Sequence, residues 1–184
     1  DDIFAALSTI NGVAYGAASE GQKDQWVLDN TDRVLYGAAV ANHVSGDSST
    51  SLLTVDGTTD ILNVAQISLA KRRAQLCNAK IRPIRIQNGE ECFVLCAHPL
   101  CIRDLKNTTE WQAAQRDAMP RGTDNPIFTG MAGIWDGVII KETPKVLLLS
   151  GVGAAGIDVA MNSLCGAQAL LFAQGGTPKG FVTD

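Results

Sequence analysis

The chain has 184 residues, 46% hydrophobic and 18% charged, which gives enough apolar material for a packed domain and excludes a disordered chain. The formal net charge is -4 and the only basic run is Lys71-Arg72-Arg73, so a free-standing nucleic-acid binder, held by cations on phosphates, is excluded. No stretch reaches the roughly 18 consecutive apolar residues of a membrane helix, and the start, Asp1-Asp2-Ile3-Phe4, lacks the features of a signal peptide, so an intracellular product with no membrane partner is expected.

Residues 1–57 are rich in Gly, Ala, Ser, Asn and Asp and read as an irregular, loop-rich N-terminal segment, with residues 58–184 as the core domain. Within the first segment, the tract from Val44 to Ser51 is expected to be a flexible surface loop, with His43 beside it exposed to solvent. A helix is predicted from Thr59 to Cys77, with Thr59 or Asp60 as its N-cap. Its apolar stripe is Ile61, Leu62, Ala65, Leu69 and Leu76, and Arg72, in the middle of it, is expected to snorkel to the edge or to enter an ion pair.

The runs Ile81 to Ile86 and Glu91 to Ala97 flank Asn88-Gly89 and predict a β-hairpin. Pro83 has no amide hydrogen, so the first strand should be an edge or start there, while Cys92 to Ala97 is apolar on both faces and should be buried. Pro99 opens a short helix through Leu105, and Thr109-Glu110-Trp111-Gln112 is a capping box for another that Pro120 stops. Arg121 to Gly133 reads as loop, Trp135-Asp136-Gly137 as a turn feeding the strand Val138 to Lys141, and Val146 to Leu149 as a further short strand. A last helix is predicted from Asn162 or Ser163 to about Ala173, ended by Gly175-Gly176. The fold class is therefore α+β, without βαβ alternation or repeats.

The enzyme-like signal is Gly151-Val152-Gly153-Ala154-Ala155-Gly156, a literal G-x-G-x-x-G after the strand-like Val146 to Leu149. A dinucleotide fold needs an acid at the end of the next strand, and Gln174 stands there instead, so a small nucleotide-binding enzyme using Gly151 to Gly156 is the alternative reading and a flexible loop the favoured one. Cys92, Cys96, His98 and Cys101 could be drawn as a zinc site, but Cys92 and Cys96 lie inside a predicted strand and not on paired turns. The five cysteines, Cys77, Cys92, Cys96, Cys101 and Cys165, are an odd number and are expected to be reduced. No nucleophile elbow, Walker loop, HExxH or EF-hand loop occurs. No catalytic, cofactor-binding or metal-ligating residue is assigned, and no cofactor is expected.

Several segments carry a specific resemblance: Asp32-Arg33-Val34-Leu35-Tyr36-Gly37, Ile81-Arg82-Pro83-Ile84, Val94-Leu95-Cys96-Ala97-His98-Pro99 and Arg103-Asp104-Leu105. In the same order follow Asp124-Asn125-Pro126-Ile127-Phe128-Thr129-Gly130, Trp135 to Glu142, and Leu164-Cys165-Gly166-Ala167-Gln168-Ala169. The order and spacing resemble a tailed-bacteriophage major capsid family, the phage N-four-type coat proteins. The resemblance implies an HK-ninety-seven-like fold with a peripheral lobe, built on a long spine helix and a β-sheet, and an axial lobe. It further implies a virion protein, assembled in the host bacterial cytoplasm, that self-assembles into the hexamers and pentamers of an icosahedral shell around double-stranded DNA. Its partners would be further copies of itself, with scaffold, portal or decoration proteins beside them and the packaged DNA touched only non-specifically. Family members are longer at both ends, so the resemblance also implies that the N-terminal arm, extended loop and closing strand lie outside this chain.

Overall fold

The computed structural model describes residues 8–86, 89–118, 133–167 and 169. Strands β1 (Thr9–Ile10) and β2 (Val13–Ala14) pair antiparallel across Asn11-Gly12, where φ is 50° and 79°. Two successive left-handed residues suit the right-handed twist of a tight hairpin. Helix α1 (Glu20–Asp29) follows, opened by a reciprocal capping box in which Ser19 Oγ accepts from Gln22 N while Ser19 N donates to Gln22 Oε1 at 3.0 Å.

The expected flexible loop from Val44 to Ser51 is instead the entry to helix α2 (Ser48–Leu53), capped by Asp47, whose Oδ1 accepts from Thr50 N at 2.7 Å. Ser48 and Ser51 have no solvent exposure. Ser48 Oγ is 3.0 Å from the Tyr15 hydroxyl, and Ser51 Oγ donates to the Asp47 carbonyl at 2.6 Å. Composition reports polarity, and a small hydroxyl with its hydrogen bonds made can be buried without penalty. The N-terminal segment is thus helical at two places where its Gly and Ser content suggested irregular chain.

Helix α3 (Val64–Leu76) begins five residues after Thr59, at the cap Asn63, whose side chain accepts from Gln66 N at 2.9 Å. Asp60 caps nothing. Its Oδ1 accepts from Ala38 N at 2.6 Å and Asn42 Nδ2 at 3.1 Å, and its Oδ2 accepts from Asp56 N at 3.0 Å, which ties two loops together. The buried apolar face of α3 is Val64, Ile67 and Ala74. Ala65, Arg72 and Leu76 are exposed and Leu69 is half-buried, so the expected stripe lies on the wrong side of the helix. Arg72 therefore stands on the outer face and has no core to snorkel from.

The predicted hairpin is present. Strand β3 (Ile84–Arg85) pairs antiparallel with β4 (Glu91–Ala97), Ile84 opposite Cys92, and Gly89 turns with φ +79°. Gln87 and Asn88 lie outside the described residues. Helix α4 (Pro99–Asn107) starts with Pro at its first position and His98 as cap. Helix α5 runs Thr109–Ala118, and Thr109 lies inside it, so it is not the cap; Gln112 Nε2 reaches the Lys106 carbonyl at 3.2 Å. Pro120 and residues 121–132 lie outside the described residues.

The loop reading ends at Gly133, where β5 (Gly133–Trp135) begins. It forms a hairpin with β6 (Val138–Glu142) across Asp136-Gly137, at φ 48° and 71°. Strand β6 runs parallel to β4, with Phe93 opposite Val138 and Leu95 opposite Ile140. Strands β7 (Leu148–Leu149) and β8 (Val159–Ala160) form a separate hairpin. Where the last helix was predicted to start, the chain forms strand β9 (Ser163–Cys165), antiparallel to β4 with Leu164 opposite Leu95. An apolar segment gains its backbone bonds from whichever partner it packs on, and here β4 offers a free edge. Residues 170–184, including Gln174, Gly175 and Gly176, lie outside the described residues.

Phe93, Leu95, Ala97, Val138 and Ile140 point to the sheet face covered by α3, α4 and α5, where they meet Ile67, Ile102, Leu105 and Trp111 in the main core. Two smaller clusters join the N-terminal segment to the β7–β8 hairpin: Ile10 and Tyr15 with Leu147, Leu149 and Met161, and Val27, Tyr36 and Val55 with Val159.

Candidate assembly surfaces

The Gly151 to Gly156 segment is the loop of the β7–β8 hairpin, and its backbone is used internally. Gly153 N donates to the Ile157 carbonyl at 3.0 Å, Ala154 N to the Val55 carbonyl at 2.9 Å, and Gly151 N to Asp158 Oδ1 at 2.9 Å. A phosphate cradle requires amides aimed outward at a helix N-terminus, and here the segment ends in a single 3₁₀ turn followed by extended chain. Gly153 is needed for packing: a Cβ there would stand 2.5 Å from Ile157 Cγ1 and 3.1 Å from the Val55 carbonyl. The nucleotide alternative has no physical support in this geometry.

Cys92 and Cys96 share one face of β4, and Cys165 on β9 lies diagonally across from Cys96. Burial pushes the thiols of Cys96, Cys101 and Cys165 up, away from the thiolate that metals and nucleophilic chemistry require. His98 Nδ1 accepts from Leu100 N at 3.3 Å, which commits that nitrogen to the helix cap. Among the described residues no group of three or more His, Cys, Asp or Glu has a metal-binding arrangement. His43 is half-buried and not solvent-exposed as expected, its ring 5.8 Å from that of Tyr36 in edge contact. A groove of about 550 Å³ between the start of α3 and the α4–α5 junction is lined by Thr58, Asn63, Asp104, Asn107 and Glu110. Its lining holds no His, Cys or Lys.

The structure instead offers surfaces. The three residues of the basic run separate: Lys71 Nζ bonds Asp136 Oδ1 at 2.8 Å, Arg73 bonds the Thr31 and Asp32 carbonyls, and Arg72 faces outward. Arg33 Nη2 reaches the Asn78 carbonyl at 2.5 Å and Asn78 N donates to Asp32 Oδ2 at 2.7 Å, so residues 31–33 are clasped to the end of α3. Apolar side chains remain outside: Leu76 is 72% exposed, Leu53 59% and Ile134 53%. No helix among the described residues is long and apolar enough to cross a membrane. These apolar side chains are available for contact with another protein.

Comparison with known proteins agrees. The chain is 36% identical over 106 residues to the major capsid protein of Pseudomonas phage KPP25, an alignment covering 54% of this chain and 28% of that protein. Its fold matches the capsid asymmetric unit of cyanophage Pam1 with a TM-score of 0.68 at 30% identity, covering 79% of this chain and 41% of that one. The capsid of Ralstonia phage GP4 shares the fold at a TM-score of 0.53 and 22% identity, over 76% of this chain and 38% of the other. The chain thus spans less than half the length of these relatives, and the α+β, HK-ninety-seven-like architecture expected from the sequence is the architecture observed. The family model described as phage capsid protein matches residues 27–183, and the chain belongs to that family.

Proposed function

We propose that this chain is a structural part of a phage major capsid protein, which works by repeating itself in the virion and carries out no catalysis. Copies meet through shape-complementary faces to give hexamers and pentamers, and these close into an icosahedral head around double-stranded DNA. Assembly takes place in the host bacterial cytoplasm. Scaffold, portal or decoration proteins are the further partners of such a shell, and packaged DNA is contacted without sequence preference.

The observation that carries this reading is the fold shared with the cyanophage Pam1 capsid at 30% identity. The division at residues 57 and 58 is part of the proposal, and the β7–β8 hairpin of the core segment bridges it by packing Leu149 and Val159 into the N-terminal clusters. Electron microscopy and sedimentation of the protein expressed in bacteria test the function. Capsomer-sized oligomers or closed shells are expected; protein that is folded, soluble and monomeric at every concentration would overturn it.

A further inference from the structure

Helix α3 carries two apolar stripes. Val64, Ile67 and Ala74 fill the core, while Ala65, Leu69 and Leu76 lie on the opposite side, with Leu76 72% exposed. The outer stripe contains Arg72, one turn before Leu76, and the chain leaving the helix adds exposed Lys80 and Arg82. These three cations make no ion pair among the described residues. They belong to a basic stretch: residues 61–118 hold nine Lys and Arg against five Asp and Glu.

The opposite charge is concentrated elsewhere in the same molecule. Residues 1–60 hold nine Asp and Glu against two Lys and Arg. There α1 and the adjoining α2 expose Leu28 at 48% and Leu53 at 59%, with the carboxylates of Glu20, which pairs with Lys23 at 2.7 Å, and Asp29, which accepts from Gln25 Nε2 at 2.8 Å, on α1. One face therefore presents leucine with cations, the other leucine with carboxylates.

We propose that the outer stripe of α3, with Arg72, Leu76, Lys80 and Arg82, is an assembly surface occupied by the acidic α1–α2 face of a second copy of this chain. The inference rests on the self-assembly reading above and adds the surfaces through which it occurs. A contact between two unlike faces is heterologous, so it repeats from copy to copy and gives a ring when the rotation closes, which is the geometry a capsomer requires. Opposed charges steer the encounter and set the register, and the leucines supply the desolvated centre. Duplex DNA is the less suitable occupant, because an exposed leucine in the middle of the cations contributes nothing to phosphate contact and the whole chain is acidic at -4.

The test is charge exchange followed by sedimentation equilibrium. Self-association of the unaltered chain should weaken about tenfold or more as salt rises from about 0.05 to about 0.5 M. Arg72→Glu with Lys80→Glu and Arg82→Glu should weaken it at least as much, and so should Glu20→Lys with Asp29→Lys. Mixing the two variants should restore association, since each now carries the complement of the other. Leu76→Ser should weaken association without moving the unfolding midpoint, which keeps the test decisive if a multiple variant fails to fold. Association that ignores salt, or a mixture no tighter than its components, would refute the proposal. So would a basic-face variant that associates normally but loses retention on duplex DNA, an outcome that assigns the face to nucleic acid. Capsomers or shells formed equally well by all variants would sink the surface and leave self-assembly standing, whereas an unaltered chain that never associates would sink both.

Discussion

Ile67 and Leu76 stand nine residues apart on one helix, and sequence periodicity places Leu76 in the core stripe and Ile67 outside it, although Ile67 is 1% exposed and Leu76 72%. Ile67→Ala removes three carbons from the contact with the main core and should lower stability by about 2–5 kcal/mol. Leu76→Ala should stay within about 0.5 kcal/mol, as surface changes do. Urea midpoints of the two variants decide the matter, and equal losses would place the buried stripe wrongly. Gly166 makes a sharper demand. A Cβ there would overlap the Arg82 carbonyl and lie 2.7 Å from Ile81 Cγ2. Gly166→Ala should therefore force the chain after β9 away from residues 81–82 and destabilise by about 1–3 kcal/mol. An unchanged midpoint would show that this approach is not tight in solution. Neither distinction is legible in the sequence at these two positions, because an apolar side chain and a glycine look the same whatever surrounds them.

At the scale of elements, the Lys71–Asp136 bridge pins the β5–β6 turn to α3. The hydrogen bond from Lys71 holds the Asp136 carboxyl below its ordinary 3.8. A carboxyl with a depressed folded-state value stabilises the fold above its unfolded value and loses that contribution as pH falls through the folded one. Asp136 is 45% exposed, so solvent screening keeps the contribution below about 1 kcal/mol. Lys71→Met should accordingly lower the urea midpoint slightly at about pH 6, and the gap to the unaltered chain should narrow as pH falls below the ordinary carboxylate range. A gap that persists in acid would mean that Lys71 acts through packing instead of charge. The elements that were legible carry their signals locally: the β3–β4 hairpin has its turn glycine, α4 its Pro99, and β4 its unbroken apolar run. Helix α1 also carries a local signal, Ser19 with Gln22 three residues on, and it was masked by the Gly and Ala around it.

On the scale of the whole molecule, two separated parts of the chain share packing. Tyr15 and Ile10 meet Leu149, and Val55 meets Val159, while the main core has no member from residues 8–60. Amide hydrogen exchange should therefore show residues 148–160 opening together with residues 9–56, separately from β4 and β6. Protection of Leu148, Leu149, Val159 and Ala160 that follows β4 instead would show a single cooperative unit.

The sequence alone determined the α+β class, the hairpin, and the order of landmark segments from Asp32 to Ala169 that points to phage capsids. These follow from turn chemistry, strand-length apolar runs and residue types, all of which act over a few neighbours. Tertiary structure alone decided which stripe of α3 is inside, that Ser48 and Ser51 are buried, and that residues 163–165 form a strand. Each of those depends on a partner far along the chain: the sheet beneath Ile67, the Tyr15 hydroxyl beside Ser48, and the free edge of β4 beside Leu164. Local periodicity gives α3 two apolar sides and cannot rank them, because burial is settled by whichever surface the rest of the chain presents.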